Sequence, residues 1–321
     1  MSVSLSRPRI LLGYVVERGT ERRLFVLSLP QYPQDSNYSP VIFKSDVPIK
    51  NYGFCNSVRG IICVSQENHF MICNPTTRQF IAIPNDPTGF DPTDNMFNAT
   101  ASVYLGYDES NDQYKIMRTI RTQVRSPEHS VCTLRLGEQT SISSWRRVES
   151  GNDYYCRMTN ALCIRGVVYY GAWEIPLNSL VIKILSFDVA SERLLLMEVP
   201  KEHRLVRLLN YQGKLGCFCG TKDNGLSLWI LDDAKKQIWS KTCVFSPSLC
   251  DSYRKLNLRT CGATDAGEIL FVSTMISGAF ELFYYDIKKN EVSKQVKIRD
   301  ISENDKLTHL SLSCGHVENI I

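Results

Sequence analysis

One unit recurs along most of this chain: a short apolar run, a polar turn, then a second apolar run. The clearest copies are HFMICNPTTRQFIAIP (69–84), VYLGYDESNDQYKIMRTI (103–120), ILSFDVASERLLLMEVP (184–200), LWILDDAKKQIWSKTCVF (228–245) and LFYYDIKKNEVSKQVKI (282–298). The runs are too short for helices and rich in β-branched and aromatic residues, so each copy reads as a β-hairpin. Chains that repeat one hairpin unit are repeat folds, which commonly serve as binding platforms. The question such a chain poses is which partner, rather than which reaction.

Almost no helical periodicity is present, and the runs group in fours, the blade unit of an all-β propeller. The groups are 52–84, 101–150, 161–200, 206–245 and 258–298. PRILLGYVV, RLFVLSLP and VIFKSDV add three N-terminal strands, and THLSLSC (308–314) adds a fourth from the other end. An open ring would leave an edge strand unpaired, so strand 308–314 is expected to pair with the N-terminal strands and close it. The sequence therefore predicts a single β-propeller of four-stranded blades over 8–314, with six blades, or seven as the alternative. A linker at 1–7 and a tail at 315–321 flank it.

Turn chemistry agrees. Gly60, Gly166, Gly213 and Gly267 fall between first and second strands, where tight turns call for positive φ. Asn74-Pro75, Asp108-Glu109-Ser110-Asn111 and Asp232-Asp233 offer side chains that bond their own backbone. The longest connections are 31–40, 85–100, 149–160 and 246–257. All but the first join blades and would crowd one face, where loops on a rigid scaffold usually bind.

Of 321 residues, 43% are hydrophobic and 22% charged, enough to build a core and too apolar for disorder. The net charge of +4 is spread out. Its densest stretch, Arg118, Arg121, Arg125, Arg146 and Arg147, reads as solvated strand faces and loops, so no nucleic-acid partner is expected. No run reaches the roughly 18 apolar residues of a membrane span, and the N-terminus lacks the layout of a secretory signal. Eight of twelve cysteines (Cys63, Cys73, Cys132, Cys163, Cys217, Cys219, Cys243, Cys261) fall in expected strands, as reduced core thiols of a cytoplasmic or nuclear protein would. The sequons at Asn37 and Asn98 would then go unused.

No enzyme constellation stands out. His69, His129, His203, His309 and His316 are dispersed, and H-E-x-x-H, G-x-S-x-G and phosphate-cradling glycine motifs do not occur. Cys217 and Cys219 share one side of a strand, but no second Cys/His pair follows at zinc spacing, so neither metal nor cofactor is expected. Thr221, Asp223 and Gly225 approach a sialidase-type turn, but its serine is missing and Trp229 comes one place late. A propeller glycoside hydrolase is thus only a remote alternative, since the carboxylate pair such chemistry uses cannot be picked out.

Trp145, Trp229 and Trp239 lie in expected strands and read as packing between blades. Trp173 ends a strand and opens the loop WEIPLNS. With Phe90, Phe97, Tyr154, Tyr155, Tyr253 and Arg254, it forms the candidate partner-binding set, because all are expected on the face of the inter-blade connections. Tyr, Trp and Arg are the residue types that dominate interface hot spots.

Several motifs in order resemble the F-box-associated propellers of plants, and most closely the type-3 domain of crucifers. They are Gly60-Ile61-Ile62-Cys63, then Asn74-Pro75 with Thr77 and Arg78, then Ile83-Pro84. Gly106-Tyr107-Asp108 with Tyr114-Lys115-Ile116 and Trp145-Arg146 follow, then Gly166 with Tyr169. Ser186-Phe187-Asp188-Val189 with Glu192 comes next, then Leu208, Tyr211, Gly213, Lys214 and Leu215, and finally Leu228-Trp229-Ile230-Leu231 with Asp233. The resemblance covers roughly 8–314. It implies a non-enzymatic domain that holds a substrate protein for a Skp-cullin-F-box ubiquitin ligase. The family's N-terminal F-box helices, which dock the Skp-type adaptor and through it the cullin, have no counterpart before residue 8. Substrate recognition is therefore expected, with a free-standing adaptor or a decoy uncoupled from the ligase as the alternative.

Overall fold

The computed structural model describes residues 9–18, 21–32, 41–44, 52–66, 69–84, 100–121, 127–137, 140–149, 154–157, 159, 161–175, 182–200, 206–220, 225–273, 280–298 and 306–316. In chain order the first strands are β1 (Arg9–Arg18), β2 (Glu21–Pro30) and β3 (Val41–Lys44). A second group is β4 (Tyr52–Val58), β5 (Ile61–Gln66), β6 (His69–Asn74) and β7 (Gln79–Ala82). A third is β8 (Thr100–Asp108), β9 (Gln113–Arg121), β10 (Glu128–Arg135), β11 (Ser141–Ile142) and β12 (Arg146–Val148). A fourth is β13 (Tyr154–Arg157), β14 (Leu162–Ile164), β15 (Val167–Ile175), β16 (Ile182–Asp188) and β17 (Arg193–Glu198). A fifth is β18 (Val206–Tyr211), β19 (Lys214–Gly220), β20 (Leu226–Asp233) and β21 (Ile238–Val244), followed by helix α1 (Pro247–Lys255). The sixth is β22 (Leu258–Ala263), β23 (Ile269–Ser273), β24 (Phe280–Asp286) and β25 (Glu291–Ile298), and β26 (Lys306–His316) is the last strand among the described residues.

Each group is one sheet of sequential strands, and β26 joins the first sheet beside β1, giving the order β26-β1-β2-β3. The pairing runs antiparallel from Arg9–His316 to Glu17–Lys306, so the C-terminal strand does pair with the N-terminal three. Because neighbouring strands are antiparallel, first-to-second and third-to-fourth turns leave each sheet at one end. Second-to-third turns and connections between sheets leave at the other.

The chain divides into two compact units, 1–52 with 200–318 and 53–199. In the first, Ile10, Leu12, Tyr14, Leu27 and Leu29 pack on Leu270, Val272, Leu282 and Tyr284. On the other face of β22–β25, Phe271 and Tyr285 meet Phe218, Leu228, Phe245 and Leu249. The first strands β18, β22 and β26 of its three sheets lie side by side. In the second unit, β4–β7 packs on β8–β11 around Ile61, Ile72, Val103 and Ile116, and β8–β12 packs on β13–β17 around Tyr104, Met117, Val168 and Phe187. Middle strands buried on both faces read as continuous apolar runs rather than alternating ones.

Four expectations need correction. Two sheets have five strands. The outer strand of the third sheet is broken because the Ser143 hydroxyl replaces a backbone carbonyl as acceptor for Thr133 N–H, at 2.9 Å. The first strand of the fourth sheet is broken at Thr159, whose hydroxyl accepts from Gly171 N–H at 2.8 Å. Second, the connection 246–257 contains α1. Ser246 caps it by accepting from Leu249 N–H at 3.4 Å, Pro247 suits its first turn, and Leu249 and Cys250 bury its inner side.

Third, Trp145 lies between strands rather than in one, although it does pack against the cluster between two sheets, and Trp229 and Trp239 are partly exposed. Fourth, the basic stretch is not uniformly solvated. Arg118 is buried, with its guanidinium 4.6 Å from the Trp145 ring centroid.

His129 supplies a pH test. It is buried on β10, its ring nitrogen 2.9 Å from the Thr119 hydroxyl, and burial pushes its pKa down to about 4. The unfolded chain takes up this proton near pH 6.5 and the folded chain only near 4. Stability is therefore lost as pH falls through that window, by about 3 kcal/mol in all. Urea midpoints should decline from pH 7 to 4.5, and His129→Gln should flatten that decline. An equal decline in the variant would assign the effect elsewhere.

Candidate protein-interaction site

The signature motifs meet in space within the second unit. Lys115 on β9 is buried, and its Nζ lies 3.5 Å from Asp108 Oδ2 and 2.9 Å from Glu192 Oε1. It also donates to the Ala190 carbonyl at 3.3 Å. Arg146 Nε donates to Glu192 Oε2 at 2.8 Å, and Arg146 Nη2 to Thr133 Oγ1 at 3.1 Å. The Tyr-Lys, Gly-Tyr-Asp, Trp-Arg and Ser-Phe-Asp motifs thus converge on one ion cluster that joins β8–β12 to the turn after β16. The Asn111 amide is the main group holding the Asp108 carboxyl below its ordinary range, with backbone N–H groups and Lys115 assisting against burial. Burial pushes the Glu192 carboxyl up, but Arg146 and Lys115 outweigh it and leave the group below its usual range.

Neighbouring signature residues are structural too. A Cβ added at Gly106 would lie 2.5 Å from Val189 Cγ2, so only glycine admits that approach. Trp145 Nε1 donates to the Pro84 carbonyl at 2.9 Å, tying two sheets together. Asn56 clamps the backbone of Leu105, donating to its carbonyl at 2.6 Å and accepting from its N–H at 2.8 Å.

The turns follow one plan. Asn74, Asp108, Asp233 and Asp286 each accept the backbone N–H groups two and three residues on, and Asp188 accepts the third. The fourth residue after each, namely Arg78, Asp112, Gln237, Asn290 and Glu192, has positive φ. Gly60, Gly166 and Gly213 sit in two-residue hairpins with positive φ at both turn positions, as the type I′ turn requires. The motifs that carry the resemblance therefore encode scaffold, and most of their turns lie at the end opposite the inter-sheet connections.

The expected partner-binding residues fare unevenly. Phe90 and Phe97 lie outside the described residues, as do Thr221 and Asp223 of the sialidase-like turn. Tyr154 and Tyr155, expected in a loop, are on β13 and pair with Ile175 and Glu174. Trp173 is half-buried within β15, opposite Ile182 and Cys156, two residues before that strand ends. Tyr253 and Arg254 come together on the last turn of α1. The Tyr253 ring is wedged against Phe218 and Phe271, with centroids 5.5 and 6.2 Å away. Arg254 is exposed beside it and pairs with Asp251 at 2.6 Å.

Sequence reasoning missed what surrounds Tyr253. Arg207 on β18 and Arg259 on β22 both act electrostatically on its phenol, opposing the rise that burial causes. The signal was available, since VRLLNY and LRTCGA each place Arg second in the first strand of a sheet. Among the described residues no group of three or more His, Cys, Asp or Glu side chains is placed to hold a metal ion. No helix among the described residues is long and apolar enough to cross a membrane.

Comparison with known proteins follows this geometry. The F-box protein At1g30790 of Arabidopsis thaliana is 33% identical over 99% of this chain and 87% of its own length. The F-box/LRR-repeat protein At2g40920 of the same plant is 29% identical, over 97% of this chain and 75% of its own length. Among solved structures, TolB from Acinetobacter baumannii aligns with a TM-score of 0.51 over 94% of this chain and 66% of that one, just under two thirds. At 12% identity that likeness speaks to fold alone. The family model described as the F-box associated beta propeller domain matches residues 11–317, nearly every sheet described above, and the chain belongs to that family.

Proposed function

We propose that this chain is the substrate-recognition part of a plant F-box protein, a non-enzymatic propeller that holds a protein for ubiquitination. The observation that carries the reading is alignment over almost the whole chain with a protein named as an F-box protein. In this reading residues 8–314 form one domain and the six sheets are the blades of one ring, with β26 completing the first. Connections at the sheet ends opposite the signature turns contact the substrate, and Trp173, Tyr253 and Arg254 belong to that surface together with Phe90, Phe97, Tyr154 and Tyr155. A Skp-type adaptor and a cullin are the ligase partners where the full-length protein carries an F-box, and the protein acts in the cytoplasm or nucleus.

Affinity capture from plant extract with mass spectrometry tests this. Reproducible enrichment of plant proteins is the expected result, and recovery of adaptor and cullin with them would place the chain in a working ligase. Enriched proteins without the ligase subunits would make the chain an uncoupled adaptor or decoy. Recovery of no protein above an unrelated propeller control would overturn substrate recognition.

A further inference from the structure

The last turn of α1 carries Tyr253, Arg254 and Lys255, and Arg207 at the start of β18 and Arg259 at the start of β22 both act electrostatically on the Tyr253 phenol. Arg207 follows Val206 on β18, opposite buried Phe218 in the register, and its guanidinium donates to the Val206 carbonyl at 3.0 Å. Arg259 is exposed at the second position of β22, the strand beside β18. Arg254 and Lys255 are exposed at the end of α1. Tyr253 is half-buried on Phe218 and Phe271, and Arg207 shares the face of Phe218 through its register pairing.

Between 246 and 259 the sequence has one acidic residue, Asp251. Its pair with Arg254 has both side chains more than half exposed, and such pairs hold weakly enough for a ligand to displace.

Arginine forks match carboxylates in geometry as well as charge, and a fixed tyrosine beside them adds contact area at low entropic cost. From these observations we infer that Arg207, Tyr253, Arg254 and Arg259 form a docking surface for an acidic, Asp/Glu-bearing segment of a partner protein. The cations come from two strands and a helix end. That spread suits several single charges along an extended peptide better than one concentrated phosphate. The small net charge of +4 disfavours a nucleic-acid backbone, which draws its affinity from many phosphates. This inference rests on the proposed substrate-recognition role and names the chemistry of what is recognised.

The test is fluorescence anisotropy with a labelled twelve-residue peptide rich in Glu and Asp. Comparators are its Gln/Asn counterpart, a phosphoserine peptide of equal charge and a single-stranded oligonucleotide of equal charge. The acidic peptide is expected to bind, the neutral one to bind at least tenfold more weakly, and affinity to fall about tenfold between 50 and 300 mM salt. The double variant Arg207→Gln/Arg259→Gln should lose at least tenfold in affinity while its melting temperature stays unchanged.

Binding unaffected by the double variant would overturn the assignment. So would tenfold preference for the phosphopeptide or the oligonucleotide, or no binding to the acidic peptide. Captured proteins that still bind the double variant at full strength would overturn this surface while leaving substrate recognition standing.

Discussion

A chain ended after residue 305 is expected to give no soluble folded protein, or to melt at a sharply lower temperature. The truncation removes β26, which pairs with β1 through nine register pairs. Cross-strand pairs contribute roughly 0.2–1 kcal/mol each, so their sum is several kcal/mol. The flank exposed is worse than the bonds lost. Ile10, Leu11, Leu12 and Tyr14 on β1 are all essentially inaccessible, and β22, which lies beside β26, loses a neighbour too. Against a total stability of roughly 5–15 kcal/mol, a loss of this size is most of what holds the unit together. The unpaired β1 edge would also offer itself to other chains, so aggregation should accompany the loss. Circular dichroism melts of the 1–305 chain beside a chain ended after 317 make the comparison. The longer chain should melt with the intact protein, and equal melting of the shorter one would remove β26 from any role in closing its sheet.

The sheets were legible because their determinants are local. Alternating or continuous apolar runs, Asx residues at turn starts and glycines at positive φ all act within a few residues of chain, and the strands follow them closely. The interruptions were not legible. Ser143 and Thr159 break their ladders by side-chain bonds to residues ten and twelve positions away, and nothing in the neighbouring sequence marks a hydroxyl that will do this. Helix α1 escaped for another reason. PSLCDSYRK has few apolar residues, so its periodicity is faint and its stability comes from packing Leu249, Cys250 and Tyr253 onto residues distant in sequence.

The candidate site shows the same division. Tyr253 and Arg254 could be picked as residue types in a long connection, whereas Arg207 joins them only because β18 and β22 are neighbours. The loop placement of Tyr154 and Tyr155 went wrong because a strand of four residues, paired through β15, carries no pattern of its own.

Lys115→Met should destabilise the protein by about 3 kcal/mol, the low end of the roughly 3–5 expected when one partner leaves a buried ion pair. Methionine keeps the volume of the stem, so the loss reports charge rather than packing. Asp108 then sits with its side chain fully inaccessible and no cation beside it. The low end is the right choice because both carboxylates keep other partners. Asp108 retains the Asn111 amide at 2.9 Å and the N–H groups of Ser110 and Asn111 at 3.1 and 3.3 Å. Glu192 retains Arg146.

The sign with pH is definite. Both carboxyls lie below their ordinary range when folded, so the stability they contribute is present above the unfolded values near 4 and is lost as pH falls through the folded ones. Removing Lys115 weakens that depression, so the variant should be destabilised at pH 7 and differ less from the native chain below pH 3. Urea unfolding of Lys115→Met, Glu192→Gln and the double variant gives the coupling directly. A coupling near zero at pH 7 would mean that the signature lysine, aspartate and glutamate lie near one another without holding the two sheets together.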